Sequence, residues 1–206
     1  MLRYRTLIFL TLLSLQCVST QVDAAPARNQ SGGGSLPNGC VAGAYSVVTT
    51  DDGTTLSVLF DNFIVTSGAA GGTVTNTCSI HIPLNLPAGF SLGVYRVDYR
   101  GYSHLSGQQS AGLSVDYALG PHQNSRRFQR RLPGAHEGDF LYSENIGAGL
   151  MKRVGCGQAA VLDLTATLEV QSVPQASAAV AALDSVDGAP AGGIIYRFNL
   201  RRCGEP

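Results

Sequence analysis

The polar residues best placed to bind a ligand alternate along one stretch, Phe90–Leu105 (FSLGVYRVDYRGYSHL). Successive side chains of a β-strand point to opposite faces of the sheet. The alternation therefore predicts one polar face, which begins at Val94 and carries Arg96, Asp98, Arg100, Tyr102 and His104. The opposite face carries Tyr95, Val97 and Tyr99, and we expect these three side chains to pack in the interior.

The predicted polar face has two interpretations. An arginine beside a carboxylate and a tyrosine can bind a sugar or a carboxylate ligand through bidentate hydrogen bonds. Charged outward faces are also the ordinary state of antiparallel sheets, and each cross-strand pair then contributes only about 0.2–1 kcal/mol. We favour a solvated face and keep its five polar residues as a ligand-binding hypothesis.

Within this stretch, Arg100-Gly101-Tyr102 has a structural interpretation as well. Gly101 would let the strand bend or bulge, or let another backbone approach closely. Arg100 has donors that could reach the carbonyl groups of a nearby loop. The sequence favours a role for this motif in fixing the fold.

A second cluster of charge lies in residues 126–131 (RRFQRR), inside a predicted long polar insertion at residues 120–138. Four arginines around Phe128 could grip an anionic glycan, a lipid headgroup or a nucleic acid. A solvated, protease-sensitive loop is the simpler interpretation, because the rest of the chain after signal removal is acidic and offers no supporting basic surface. We predict no nucleic-acid partner.

No motif specifies catalysis or metal binding. Ser103 lacks the closing glycine of a nucleophile elbow, and a triad assembled in space from Ser103, a histidine and an aspartate stays an open alternative. The chain has four histidines, at His81, His104, His122 and His136. Asp51-Asp52-Gly53 is a turn signature without the later ligands of a calcium loop. The sequence predicts no cofactor and no metal, and favours a non-enzymatic protein.

The N-terminal segment predicts export. Arg3 and Arg5 precede an apolar run at residues 6–15, which is too short to span a bilayer comfortably. Val22-Asp23-Ala24 is a small-x-small cleavage pattern, so residues 1–24 are interpreted as a signal peptide. Residues 25–39 (APARNQSGGGSLPNG) are interpreted as a flexible linker. We predict a secreted protein, extracellular or periplasmic, with no membrane span after signal removal.

Charge and cysteine content agree with that interpretation. Without residues 1–24 the chain has 12 basic and 13 acidic residues, which argues against a general polyanion-binding protein. Cys17 would leave with the signal peptide, and four cysteines remain: Cys40, Cys78, Cys156 and Cys203. An even number suits disulfides in an oxidising compartment, and no C-x-x-C spacing suggests zinc. Of the three possible pairings we favour Cys40–Cys78 with Cys156–Cys203.

The elements that carry these residues are predicted to be strands. Alternation is clearest over residues 160–170, where apolar and polar residues change places at each position. Similar patterns occur at residues 44–49, 54–65, 74–86, 113–119, 139–143 and 194–200. The Ala-rich residues 175–183 suit one or two helical turns. Turn signals at regular spacing predict an all-β, antiparallel two-sheet β-sandwich of about seven to nine strands, one domain over residues 40–206, stapled by disulfides.

Several segments together resemble the secreted proteins of the domain of unknown function 4360 family. They are LSVLFDN at residues 56–62, residues 78–86, VDYRGYSHL at residues 97–105, DFLYS at residues 139–143, GCG at residues 155–157 and YRFNLRRC at residues 196–203. The resemblance covers nearly all of residues 40–203. It implies a secreted, β-rich domain with cysteine bridges, and it carries over no catalytic residue.

The sequence thus predicts a secreted domain with a non-enzymatic structural or ligand-binding role outside the cytoplasm. Its partner is unknown, with a glycan or a cell-surface component as the hypothesis. The alternative is a secreted hydrolase or a carbohydrate-binding module that uses the polar face around Arg100.

Overall fold

The strands of this chain follow one another without an intervening helix in the part that a computed structural model describes, residues 44–120, 125–147, 153–157, 159–183 and 192–204. These residues all lie in one compact unit, Gly33–Pro206. The predicted signal peptide, the linker and Cys40 lie outside the described residues. The strands are β1 (Tyr45–Thr49), β2 (Thr55–Phe60), β3 (Ile64–Thr66), β4 (Gly72–Pro83), β5 (Phe90–Leu105), β6 (Ser110–Leu119), β7 (Ser125–Pro133), β8 (His136–Asn145), β9 (Val154–Gly155), β10 (Val161–Ser172), β11 (Val180–Ala182) and β12 (Gly193–Arg202).

The strands form two antiparallel sheets. In the larger sheet the strands pair in the order β1-β2-β12-β5-β11-β3, with β12 and β11 along one edge of β5. β8 and β9 pair with the opposite edge of β5. The smaller sheet has the order β4-β10-β6-β7. The predicted all-β class with two antiparallel sheets is confirmed, although the described residues hold twelve strands rather than seven to nine.

The apolar faces of the two sheets meet in one core. β10 alternates as its sequence predicts, with Leu162, Leu164, Ala166, Leu168 and Val170 buried. Two aromatic pairs join the sheets: Tyr99 of β5 stacks on Phe128 of β7 with centroids 3.9 Å apart, and Tyr117 of β6 meets Tyr196 of β12 edge-on at 5.5 Å. Since each pair joins one sheet to the other, the sheets pack face to face as a sandwich.

A bulge in β5 corrects the predicted face of two residues. Arg197 pairs with Arg96 and Phe198 pairs with Val94, so Tyr95 is an extra residue in the ladder. Val94 is consequently buried, whereas Tyr95 is 48% exposed, the reverse of the prediction. Alternation alone cannot reveal an inserted residue, because the inserted residue changes the phase of everything before it.

Gly101 allows close packing rather than a bend. β5 continues through Gly101 to Leu105. A Cβ at Gly101 would lie 2.2 Å from the carbonyl oxygen of Ala182 and 2.5 Å from Cζ of Phe140. The absence of a side chain therefore lets β11 and the Phe140 ring reach β5.

Three segments differ from their sequence-based expectations. The expected polar insertion at residues 120–138 contains β7, an edge strand that buries Phe128 and Leu132. The Ala-rich residues 175–183 contain β11 instead of helical turns, because Val180–Ala182 pair with β5 and β3. The single strand expected at residues 54–65 is divided between β2 and β3, and Phe63 is buried between them.

Cys156 and Cys203 form a disulfide with a sequence separation of 47 residues. The bond ties the end of β12 to the segment that follows β9. Cys78 is also disulfide-bonded, and Cys40, its favoured partner in the sequence analysis, lies outside the described residues.

Candidate functional site

The five polar residues singled out in β5 do share one face. Arg96, Asp98, Arg100, Tyr102 and His104 alternate with buried residues and point away from the sandwich interior. On one side β12 flanks Arg96, Asp98 and Arg100, with Ile195 opposite Asp98, and β11 flanks Tyr102 and His104. On the other side β8 runs along all five, with Ser143 opposite Asp98. The register of three strands thus decides which side chains meet on this outer face.

Asp98 is the centre of a closed polar cluster. Its carboxylate is 2% exposed and accepts hydrogen bonds from Arg96 Nε at 2.8 Å, Ser143 Oγ at 2.6 Å and Arg197 Nε at 3.3 Å. Burial alone would raise the pKa of Asp98, but these three donors outweigh burial and hold the pKa below its ordinary value. The cluster fixes Arg96 and Arg197 against the sheet, so Asp98 is a positioning residue rather than an open ligand contact.

Arg100 differs from Arg96 and Asp98 because no hydrogen bond or ion pair to its guanidinium group occurs among the described residues. Its Nε is buried and has no hydrogen-bond partner in the described part of the chain. The residue opposite on β12 is Gly193, which offers no side chain, and the residue opposite on β8 is Leu141, which is 57% exposed. The sequence-based expectation that Arg100 holds loop carbonyls therefore has no support among the described hydrogen bonds.

Tyr102 and His104 lie at the far end of the face. Tyr102 is half-buried beside Arg100. His104 Nδ1 lies 3.6 Å from a carboxylate oxygen of Glu137, and both side chains are well exposed, at 45% and 73%. The acidic Glu137 marks the end of the positive part of this surface.

Three arginines that the sequence analysis did not select extend the face in the other direction. Arg197 shares Asp98 with Arg96. Arg153 donates to the carbonyl oxygens of Ser91 and Asn199 at 2.8 and 2.7 Å and lies over Gly93. Arg201 lies opposite Ser91 in the register. We call the set Arg96, Arg100, Arg153, Arg197 and Arg201 the arginine face.

The arginine face carries an excess of positive charge. Among the described residues, the only ion-pair partner of its five members is Asp98. Burial lowers the pKa of Arg153, and the nearby charge of Arg201 lowers it further. A net charge near zero gives no sign of such a surface. Its arginines come from three separate segments of the chain, which only the folded sheet brings together.

The arginines of residues 126–131 do not form a second basic patch. They lie on β7, where alternation separates them. Arg126 binds Glu144, Arg127 pairs with Asp116 through two hydrogen bonds of 2.6 and 3.0 Å, and Arg131 donates to Ser110 and Gln171. Arg130 lies over the Phe128 ring, 5.0 Å from its centroid. Three of the four guanidiniums are thus held by side chains of neighbouring strands.

A buried polar cluster at Glu144 was missed altogether. Glu144 Oε2 accepts hydrogen bonds from the hydroxyls of Tyr99 and Tyr117 at 3.0 and 2.9 Å, and Oε1 accepts from Arg126 at 3.1 and 2.7 Å. Burial, and next to it the Glu144 charge, raise the pKa of Tyr117. The cluster joins β5 and β8 of the larger sheet to β6 and β7 of the smaller one, so its role is to hold the two sheets together. The signal in the sequence is that Glu144 continues the face of Phe140 and Tyr142.

Ser103 and His136 are close enough to act as a nucleophile and its base. Ser103 Oγ lies 2.8 Å from His136 Nδ1. Ser103 is 0% exposed, however, so a substrate cannot reach its hydroxyl in this conformation. Within the described segments no group of three or more histidine, cysteine or acidic side chains is arranged to hold a metal ion.

The fold and this surface define a disulfide-linked antiparallel β-sandwich with an arginine-rich outer face. The chain belongs to the family described as Domain of unknown function (DUF4360), whose sequence model matches residues 32–203. A similar protein is an uncharacterized secreted protein of Arthroderma benhamiae (strain ATCC MYA-4681 / CBS 112371), 25% identical over 152 residues, which are 72% of this chain. The matching region spans 62% of that relative's length. In agreement with the predicted leader, the protein is secreted.

Two solved structures show weak similarity. One is TmCBM61 in complex with β-1,4-galactotriose, with a TM-score of 0.28 and 18% identity over 78% of this chain and 83% of that one. The other is infectious bursal disease virus Gx strain, with a TM-score of 0.22 and 15% identity over 85% of this chain and 45% of that one. No helix long and apolar enough to cross a bilayer occurs in the residues that the structure describes.

Proposed function

We propose that this protein is a non-enzymatic extracellular binding domain whose arginine face recognises a carboxylate-bearing polysaccharide. The observation that carries the proposal is the Arg100 guanidinium: the residue is partly exposed, and no hydrogen bond or ion pair to it occurs among the described residues. Its Nε is closed off from solvent, so a ligand carboxylate would bind the terminal nitrogens, and a hydrogen bond to a charged group is worth about 1.5–3 kcal/mol. The planar fork of arginine suits a carboxylate group.

The surroundings of Arg100 support an extended ligand rather than a single ion. The arginine face follows β5 from Ser91, opposite Arg201, to Arg100 itself. At about 3.3 Å per residue this is a distance of about 30 Å. Asp98 neutralises one of the five positive charges, which leaves a strip that attracts a linear chain of negative groups. Tyr102 next to Arg100 adds a ring and a hydroxyl that suit a sugar.

The non-enzymatic part of the proposal is supported by the burial of Ser103, the serine that pairs with a histidine. The residue opposite Arg100 on β12 supports it too, because Gly193 has no side chain that could rise beside Arg100 and enclose a bond of the ligand.

The test compares two polymers that differ in charge alone, polygalacturonate and its methyl ester, by calorimetric titration of the mature protein. We expect binding of the acid form that weakens as ionic strength rises. Arg100→Ala should lower the affinity about tenfold, since a charged hydrogen bond is worth about 1.5–3 kcal/mol. Arg100→Lys keeps the charge but loses the planar fork, so its affinity should lie between those of the wild type and Arg100→Ala.

Arg127→Ala is the matched control, because Arg127 is bound to Asp116 on the other sheet. It should bind polygalacturonate as the wild type does. Equal binding of the methyl ester, or an equal loss in Arg127→Ala and Arg100→Ala, would refute the proposal.

A further inference from the structure

A concave feature lies at the end of the sandwich where β1 turns into β2. A pocket of about 300 Å³ opens there between the turn and the residues that follow β4. Its walls are mainly apolar side chains, from the two sheets and from the segment that follows β4: Val47, Leu56, Ile82, Leu84, Leu86, Leu92, Phe198 and Leu200. This volume is at the lower end of the range for small-molecule sites, and such sites combine apolar walls with a few polar groups.

Partly buried apolar side chains surround the edge of the hydrophobic core at this pocket. Six partly buried apolar residues pack against the core, and four of them line the pocket: Val47, Leu84, Leu86 and Leu200. Each contributes apolar area that a ligand would remove from water, at about 25 cal/mol per Å². The walls therefore favour a hydrocarbon chain or a ring.

The mouth of the pocket is acidic. Asp51 and Asp52 lie in the β1–β2 turn and line the opening together with Asn85. Neither aspartate has an ion-pair partner among the described residues. The Asp52 carboxylate is occupied by the hydroxyls of Thr50 and Thr54 and by the Thr54 amide, whereas no hydrogen bond within the described segments holds the Asp51 side chain. Two uncompensated negative charges beside an apolar cavity favour a cation at the mouth.

We infer that this pocket binds a small amphipathic cation, with its apolar part against Leu84, Leu86 and Leu200 and its ammonium group beside Asp51. The site shares no residue with the arginine face and stands independently of the proposed function. It also takes the opposite charge, so one ligand cannot serve both surfaces.

The experiment titrates the mature protein with three eight-carbon amphiphiles below their micelle concentrations: octyltrimethylammonium, octyl sulfate and octyl glucoside. We expect octyltrimethylammonium to bind most tightly. Asp51→Asn should weaken it about fivefold without changing octyl glucoside, because one exposed charge contact is removed. Asp61→Asn, at an exposed aspartate outside the pocket, is the charge control.

Leu86→Asn tests the wall, and it should weaken all three amphiphiles at least tenfold while Val74→Asn, at an exposed valine of β4, leaves them unchanged. A thermal unfolding scan shows whether Leu86→Asn is folded. If it is not, Asp51→Asn still tests the inference, because Asp51 lies in an exposed turn. Equal affinity for the three headgroups would overturn the inference. Binding that appears only after deletion of residues 25–39 would overturn it too, since the chain itself would then be the occupant.

Discussion

Replacing Glu144 with glutamine should be among the most destabilising single-atom changes in this domain. The carboxylate receives four donor groups, two tyrosine hydroxyls on one oxygen and two nitrogens of Arg126 on the other. A glutamine amide has one oxygen, so it can accept from Arg126 or from Tyr99 and Tyr117, but not from both sides. With its oxygen towards Arg126, its NH₂ group would donate to the tyrosine oxygens, and both hydroxyls would lose the charged acceptor that they have in the wild type.

The magnitude follows from the number of hydrogen bonds lost. Hydrogen bonds to a charged group are worth about 1.5–3 kcal/mol each, and the substitution removes at least two. The side chains of Arg126 and Glu144 are 26% and 13% exposed, so water recovers part of the loss. We expect the free energy of unfolding to fall by about 3 kcal/mol, a large part of the 5–15 kcal/mol of a typical domain.

Urea unfolding at pH 7 measures the free energy of unfolding of the wild type and of Glu144→Gln. Tyrosine fluorescence is the signal, because the chain has 8 tyrosines and no tryptophan. Glu137→Gln, at a side chain that is 73% exposed, is the control and should change stability by less than about 0.5 kcal/mol. A double-mutant cycle with Arg126→Met should give a coupling of at least about 1 kcal/mol. If Glu144→Gln matched Glu137→Gln, the cluster would not hold the sheets together and the reasoning would be wrong.

Two further predictions concern β5. Gly101→Ala should destabilise by about 1–3 kcal/mol in urea unfolding because its Cβ would clash with the Ala182 carbonyl, whereas Gly107→Ala, with open space around it, should be neutral; equal effects would contradict the close approach. Asp98 has a lowered pKa, so its contribution to stability is full above the unfolded-state pKa and is lost as pH falls below about 4. Asp98→Asn should therefore be less stable than wild type at pH 7, and the difference should shrink as the pH falls below about 4 in urea titrations, with Asp61→Asn as the control. A difference that stays constant with pH would exclude the carboxylate charge as its cause.

The parts of the fold that the sequence predicts are those in which alternation is uninterrupted. β10 and β12 each bury every second residue, so their apolar faces could be assigned directly. β7 was not predicted because arginines occupy four of its nine positions, and only Phe128 and Leu132 show that one side is buried. β11 was not predicted because Val180–Ala182 is too short to show an alternating pattern.

The candidate site could be predicted only in part, and for a different reason. Alternation placed Arg96, Asp98 and Arg100 on one outer face, but the pairing register decides which of them is satisfied. Ser143 and Arg197 come opposite or diagonal to Asp98, so the carboxylate is closed off, whereas Arg100 has Gly193 as its neighbour on β12. Partners of this kind are separated by tens of residues in the chain, and a single sequence does not state its register.

The bulge at Tyr95 links the fold to the proposed surface. Before it, Leu92 and Val94 point inward, and Leu92 lines the pocket. An unbroken strand with that phase would bury Arg96 and expose Val97. The extra residue reverses the phase, so Val97 packs in the core while Arg96 joins the side of the sheet on which Arg153 lies over Gly93. Because of this one residue, the two ends of the arginine face lie on the same side of β5, and a polymer bound to one end can reach the other.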